Sequence, residues 1–558
     1  MRLAAIELEN FKGIADRQRI KIRPITLLFG PNSAGKSTII QALHYIREVL
    51  ARRNIDPDVT VAGGLLNLGG FASLVHGHEL DRSVRLKLEL DISAVEVVLE
   101  LPLNCGGFLD EDGFSELQVR YLVGEGEEVQ AVGVEFEVRW SEQEGAAFVS
   151  RILIELNNVP LVAISSPAER GRAQLTDFNF LHPLLQPVEP EARTSARSPL
   201  EDLLWLLSRQ SAIDRTRPEM PQSEIRVGIA TALGALPEIN EGLWYIDMRD
   251  PEVKEEQLER TPRVQAVCRF LNEIVIGPLR IMRRCLEDMT YIGPLRQVPP
   301  RGYRPQVSPD ESRWAHGLAA WDLLHTSRDN ELAERASHWV SDPQKLNTGY
   351  QLERLEYRRV PIPGPFAAYF QRGLQEDDIF DLQALFEELP RERQVAFREL
   401  RTGLLVGPSD IGVGLSQLVP VVIAILQEEK DLLAIEQPEL HVHPAIQVGL
   451  GDLLISGIRA ADQEMAPGRT LLVETHSEHI MLRLLRRIRE TTENELPPGA
   501  PALHPDEVAV IYVELPQSND VAAGDGNVKF TPIRISDEGE FVDRWPAGFF
   551  EERVDEVL

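Results

Sequence analysis

Cysteine is scarce: Cys105, Cys268 and Cys285 are the only three in 558 residues. Their number is odd, their spacing wide, and no CxxC pair occurs. Neither a disulfide framework nor a zinc ribbon can be built from them, and a reducing cytoplasm is the expected location. Basic charge is in deficit too. Lys and Arg number 58 against 88 Asp and Glu, a formal net charge of −30. That excludes a protein coated in basic surface, but not a local basic track. Long apolar runs are missing. Residues 1–9 are interrupted by acids and hold no stretch of signal-peptide length. The run 418–426 is about half of the ~20 residues that cross a bilayer. There is no sustained heptad repeat, so long coiled-coil arms are not expected, and no internal repeat is evident.

What remains is globular in balance, with 43% hydrophobic and 26% charged residues. The first strand signal precedes the turn Asn10-Phe11-Lys12-Gly13. A second, Ile25-Thr26-Leu27-Leu28-Phe29, runs into Gly30, and beyond it Ile39, Leu43, Ile46 and Leu50 recur at helical spacing. Residues 83–164 alternate as strands, with Asn157-Asn158 as a turn, which predicts an antiparallel meander with one solvated face. Residues 165–394 read as irregular and then mostly helical, with a surface linker at 187–199. From Leu432 onward strands alternate with helices, the mark of a parallel α/β core. A turn-rich stretch at 497–505 precedes a last strand at 508–515 and an acidic tail.

Gly30-Pro31-Asn32-Ser33-Ala34-Gly35-Lys36-Ser37-Thr38 fits GxxxxGK[ST] in a strand–loop–helix context. Glycines let the backbone wrap so that successive N–H groups point at phosphate oxygens. Lys36 supplies a charge to the β- and γ-phosphates, Ser37 a hydroxyl to Mg²⁺, and the helix start a partial positive charge. The expected ligand is a nucleotide triphosphate with Mg²⁺.

Further on, Asp410-Ile411-Gly412-Val413-Gly414-Leu415-Ser416-Gln417 precedes a helical apolar run, Leu418 to Leu426, and suits a γ-phosphate, even one bound to another subunit, or else only caps the helix. Leu432-Leu433-Ala434-Ile435-Glu436-Gln437-Pro438-Glu439 reads as a buried strand ending in a carboxylate, the way P-loop enzymes hold a metal. Leu471-Leu472-Val473-Glu474-Thr475-His476-Ser477 is another apolar strand, whose His476 could face a phosphate.

In this order the features resemble the ABC/SMC-like ATPases, in the soluble branch containing the overcoming-lysogenization-defect (OLD) and RecF-like proteins. Gly30–Thr38 resembles Walker A, Gly414 to Gln417 the signature motif, Leu432 to Glu436 Walker B, Val442-His443 the D-loop, and His476 the switch histidine. Residues 543–550 are similar to a C-terminal domain of unknown function found on a bacterial subset of AAA-family ATPases.

The resemblance implies an α/β fold, an ABC-type P-loop ATPase head with an antiparallel β subdomain and a mostly helical insertion. It divides the chain into an N-terminal ATPase lobe (1–164), the insertion (165–394), a C-terminal ATPase lobe (395–500) and an acidic C-terminal domain (501–558). ATP and Mg²⁺ are the implied cofactors, with Gly30, Asn32, Ser33, Ala34, Gly35, Lys36, Ser37, Thr38, Gly414, Ser416 and Gln417 at the nucleotide and Ser37 and Glu436 at the metal. Glu436, Gln437, Glu439 and His476 form the implied catalytic set. It further implies an ATP-sandwich homodimer acting in bacterial phage defence or DNA maintenance with a separately encoded effector. Nucleic acid would be gripped only locally, and no membrane partner is expected.

One departure bears on rate. The family's second Walker B acid is replaced by Gln437, whose amide cannot accept a proton at neutral pH but can orient water. Glu439 is the candidate substitute base. Slow hydrolysis is expected, and the alternative is a non-hydrolysing sensor or scaffold. The family's Q-loop position holds Gly69 to His76 without a glutamine, leaving Ser73 or His76 to approach Mg²⁺ through water, or a plain surface loop. His441 and His443 permit a zinc reading. Arg483, Arg486, Arg487 and Arg489, and separately Arg280, Arg283 and Arg284, read either as phosphate contacts or as partners of nearby acids. Arg296 reads as a nucleotide or partner sensor, or as a structural ion pair. No DxD follows His476 and only a single strand does, so an appended nuclease domain is not expected.

Overall fold

The computed structural model describes residues 1–93, 129–167, 173–185, 226–229, 231–239, 243–247, 271–328, 330–373, 375, 378–427, 430–459, 469–515 and 527–545. The linker expected at 187–199, Cys105, Cys268 and most of the 543–550 motif lie outside them.

A six-stranded sheet forms the wall of the molecule. Its order is Met289–Ile292, Leu432–Glu436, Thr470–Glu474, Ile25–Phe29, Val508–Glu514 and Lys529–Ile533. The first five run parallel and the last antiparallel. Strands buried on both faces need apolar residues at every position, which is why LLAIE, TLLVE and ITLLF read as continuous runs. Alternate residues then face two different cores. Leu28, Leu432, Ala434, Leu472, Ile511 and Val513 pack on one side, with helix Thr38–Arg47. Leu27, Phe29, Leu433, Ile435, Leu471 and Val473 pack on the other. There they meet the helices Val413–Leu426, Pro444–Gly457 and Glu478–Thr492.

The first core is closed by a seven-stranded antiparallel sheet running, edge to edge, Gln174–Thr176, Val159–Ser165, Ala146–Leu156, Ala131–Ser141, Val84–Asp91, Arg2–Glu9 and Gln18–Lys21. Leu86, Leu88 and Leu90 point into that core while Arg85, Lys87 and Glu89 point out, as the period of two requires. The outer face is not simply solvated, as the alternation suggested. Lys87 bridges Glu155 (2.8 Å) and Glu89 (3.1 Å), and Arg17 spans Glu7 (2.6 Å) and Glu135 (2.5 Å). Lys87 and Arg17 thus reach acids along and across the sheet and cover these carboxylates.

The predicted segment boundaries cut across the central sheet. Met289–Ile292, inside the span read as an insertion, pairs with the Walker B-like strand, and Val508–Glu514, assigned to the C-terminal domain, pairs with Ile25–Phe29. Among its described residues the 165–394 span carries strands as well as helices. Tyr350–Arg358 and Arg391–Glu399 form a nine-residue antiparallel ladder, joined at its edge by Leu405–Val406. Their Glu, Arg, Gln and Leu favour helix intrinsically, but Leu352, Val395 and Phe397 are buried against the helical layer, and that packing decides. Among the described residues no helix is long and apolar enough to cross a membrane. Cys285 is a buried free thiol, its pKa pushed up to about 12 by burial.

Candidate active site

The C-terminal ends of the parallel strands converge on one place, as open α/β sheets arrange their ligands. Ile25–Phe29 delivers the chain into the Gly30–Ser37 loop, and helix Thr38–Arg47 leaves it. Gly30 has φ +149°, and a Cβ there would lie 2.5 Å from the Val513 carbonyl oxygen, so only glycine lets the loop leave the sheet this closely. Ser33 holds φ +62°, completing a tight wrap. Lys36 is buried, and its Nζ donates to the carbonyls of Gly30 (3.1 Å) and Pro31 (2.8 Å). Its pKa is lowered by burial, against the pull of Glu474, Glu436 and Glu439.

Two carboxylates face the loop. Glu436 and Glu474 end adjacent parallel strands in direct register. Ser37 Oγ donates to Glu474 Oε2 at 2.6 Å, and Lys36 Nζ lies 3.9 Å from Glu474 Oε1. Glu436 Oε1 accepts from the Tyr291 hydroxyl at 3.0 Å, and the Tyr291 ring is met edge-on by His44 of the loop's own helix. Burial, and then the neighbouring Glu474 charge, push the Glu436 pKa up to about 7; burial raises Glu474 as well. A buried pair of like charges beside a P-loop hydroxyl is a donor set that fits a hard divalent cation with oxygen ligands. Ser37, Glu436 and Glu474 would hold Mg²⁺, and Lys36 with the loop amides would hold the triphosphate. Glu474 is absent from the sequence-derived set, although Thr470–Glu474 repeats the signal of Leu432–Glu436, an apolar strand closed by a carboxylate.

Beyond Glu436 the chain is pinned. Gln437 takes φ +45°, its N–H donates to the Glu474 carbonyl (2.7 Å), and Arg296 Nη2 donates to the carbonyls of Glu436 (2.5 Å) and Gln437 (3.1 Å). Arg296 is 3% exposed, and burial lowers its pKa to about 10. It therefore binds backbone at the Walker B end, and its Nε and Nη1 are left without partners. Glu439 Oε1 accepts from the His476 N–H at 2.7 Å, while Oε2 has no hydrogen-bond partner. Burial raises the Glu439 pKa, suiting a proton acceptor. Burial and nearby Lys36 lower that of His476, whose Nε2 is also unpartnered. The structure thus brings together Lys36, Ser37, Glu436, Gln437, Glu439 and His476.

The signature-like segment is held from behind. Helix Val413–Leu426 starts after Gly412, and a Cβ on Gly414 would lie 2.3 Å from the His441 carbonyl oxygen, so the segment read as a D-loop passes directly against this glycine. Ser416 is 1% exposed and its hydroxyl donates to the Pro408 carbonyl (2.8 Å), and Gln417 Oε1 is buried without a partner. Neither side chain is presented outward in this form of the chain; the exposed group of the first turn is Val413.

Other sequence readings resolve structurally. His76 Nδ1 lies 2.7 Å from the Lys12 carbonyl oxygen, and Ser73 is exposed, placing that segment on the Asn10–Lys12 turn. His443 caps helix Pro444–Gly457 by accepting from the Ala445 N–H. Among the described residues no group of three His, Cys, Asp or Glu is placed to hold a metal. Arg487 binds Asp452 (2.7 and 2.9 Å), Arg483 approaches it (3.5 Å) and Arg486 binds Glu490 (2.6 Å). Arg280 and Arg283 pair with Glu273 and Glu287. These are acid-paired faces.

Two family models match the chain: "AAA ATPase domain" over residues 1–85, and "AAA domain, putative AbiEii toxin, Type IV TA system" over residues 294–482. No curated protein matches it. Solved structures similar to it include an SMC head bound to the C-winged helix domain of ScpA, at 9% identity and a TM-score of 0.37, with 96% of this chain and 98% of that one covered. Another is the SMC head domain from Thermotoga maritima, at 11% identity and a TM-score of 0.34, with 96% and 100% covered. The first family model contains the phosphate loop and its helix; the second contains Arg296, the signature-like turn, both strand-end carboxylates and His476. The residues that meet at the strand ends are thus those the two models share out between them, and both parts of the chain are similar to AAA-family ATPase domains.

Proposed function

We propose that the chain is a slow, Mg²⁺-dependent ATPase whose ATP-bound form pairs two heads and controls a separately encoded effector in a cytoplasmic defence or DNA-maintenance system, in the OLD-like branch. The observation that carries this reading is the buried Glu436–Glu474 pair facing Lys36 and Ser37. Mg²⁺ would supply charge neutralisation to the phosphates there. Glu439, with its raised pKa and one unpartnered oxygen, would receive the proton of the attacking water, and Gln437 would orient that water. The helix start at Val413 would meet the γ-phosphate held by Lys36 of a second copy. Ser416 would join it once its hydroxyl leaves the Pro408 carbonyl. ATP would thereby favour the paired state by contacts made only there. The toxin named in the second family model's description supports a defence role.

Gln437 itself favours a second reading, a module that binds ATP and holds an effector without turnover. Phosphate release by the full chain separates the two. Slow turnover that falls at least tenfold in Glu439→Gln supports the enzyme. No turnover in the wild type, with activity appearing in Gln437→Glu, supports the scaffold.

A further inference from the structure

A cleft of about 1080 Å³ opens beside the turn that leads into the signature-like helix. Its walls are the 299–305 segment, the ladder of Tyr350–Arg358 with Arg391–Glu399, and the 407–410 turn that leads into the helix. Five arginines line it, Arg301, Arg304, Arg359, Arg391 and Arg393, against two acids, Glu392 and Asp410. Both acids are already matched: Arg301 binds Asp410 and Arg359 binds Glu392, each at 2.7 Å. Arg393 pairs with Glu356 at 2.8 Å. Arg304 and Arg391 are exposed and make no salt bridge within 4 Å among the described residues, Arg391 acting on Glu356 only at longer range. In a chain of net charge −30, this cleft keeps an excess of guanidinium. Two tyrosine rings, Tyr303 and Tyr357, stand among the arginines. Guanidinium forks match phosphate oxygens, and aromatic and guanidinium planes accept a stacked base. The volume is about that of a pocket for a nucleotide-sized ligand.

We propose that this cleft binds a phosphate-bearing nucleotide, free or as part of an exposed single strand, separately from the ATP of the phosphate loop. The site is wired to the head. Asp410, held by Arg301, lies on the same turn as Pro408, whose carbonyl accepts from Ser416. A ligand phosphate that draws Arg301 away from Asp410 loosens the turn that keeps the Ser416 hydroxyl occupied. The segment carrying Arg301 also carries Arg296, which binds the Glu436 and Gln437 carbonyls. Occupancy of the cleft and closure of the head are therefore linked, each altering the other's affinity.

The test uses the full chain carrying Lys36→Ala, so that the phosphate loop is silent, and two fluorescent probes at low salt: a labelled oligothymidylate and an anthraniloyl-labelled AMP. Anisotropy should report binding of at least one. Binding should weaken by roughly tenfold or more when Arg304→Glu and Arg391→Glu are added, and weaken with salt in proportion to the phosphates contacted. Thermal unfolding should change little, because both side chains are exposed and neither makes a salt bridge within 4 Å among the described residues. Binding of the oligonucleotide alone assigns a strand, of AMP alone a free nucleotide, and of both the phosphate–base unit they share. The proposal is overturned if neither probe binds, or if the charge-reversed chain binds as tightly as its parent.

Discussion

Glu436 and Glu474 sit on neighbouring strands at the same register position, each closing a buried strand whose remaining residues are apolar except Thr470. Each is pushed up by burial, Glu436 to about 7. A carboxyl raised in this way keeps its proton in the folded state at pH values where the unfolded chain has lost it. Its stabilising contribution is complete below the ordinary carboxylate range and is lost as pH rises to about 7. In metal-free protein Glu436→Gln should therefore raise the melting temperature more at about pH 8 than at about pH 5. An equal shift at both values contradicts the assignment. Glu436 was legible in the sequence because a P-loop strand ending in an acid has a known use. Glu474 is harder to read because the end of its strand also carries His476, two residues on, which fits a phosphate contact as well. In the sequence Arg296 fits sensing and pairing alike; its hydrogen bonds to two carbonyls are contacts that no residue pattern specifies.

Elements with strong local chemistry were readable: the loop between Ile25–Phe29 and Thr38–Arg47, and the two apolar strands that end at Glu436 and Glu474. Elements whose state is set by distant packing were not. Tyr350–Arg358 and Arg391–Glu399 carry helix-forming residues and become strands because each completes the other's ladder. Helix Glu478–Thr492 shows the same limit, since its arginines read equally as phosphate contacts and as ion-pair partners. Arg487 lies 5% exposed between Asp452 and Glu490, so its loss leaves buried Asp452 with only Arg483 at 3.5 Å and Glu490 with only Arg486. Arg487→Ala should destabilise by about 3–5 kcal/mol, whereas Arg489→Ala, at an exposed position, should stay within about 0.5 kcal/mol. Urea unfolding of the two variants checks this, and equal effects would mean the pairing is not what orders the helix.

At the scale of the whole molecule, the two ends of the described chain are stitched at the phosphate loop. The Val528 N–H donates to the Gly13 carbonyl (2.8 Å), and Val528 packs within 3.6 Å of where a Cβ on Gly35 would stand. The acidic envelope of −30 is thus interrupted in two places. One is the loop, where backbone dipoles and Lys36 would face phosphates; the other is the arginine cleft beside the signature-like turn. The account rests on the first. Calorimetric titration of ATP into the full chain, with and without Mg²⁺, tests it most directly. The wild type should bind ATP more tightly with Mg²⁺, Glu474→Gln should lose roughly 10–100-fold of the metal's effect, and Lys36→Ala should lose ATP binding. Undiminished, Mg²⁺-independent binding by Lys36→Ala would contradict it.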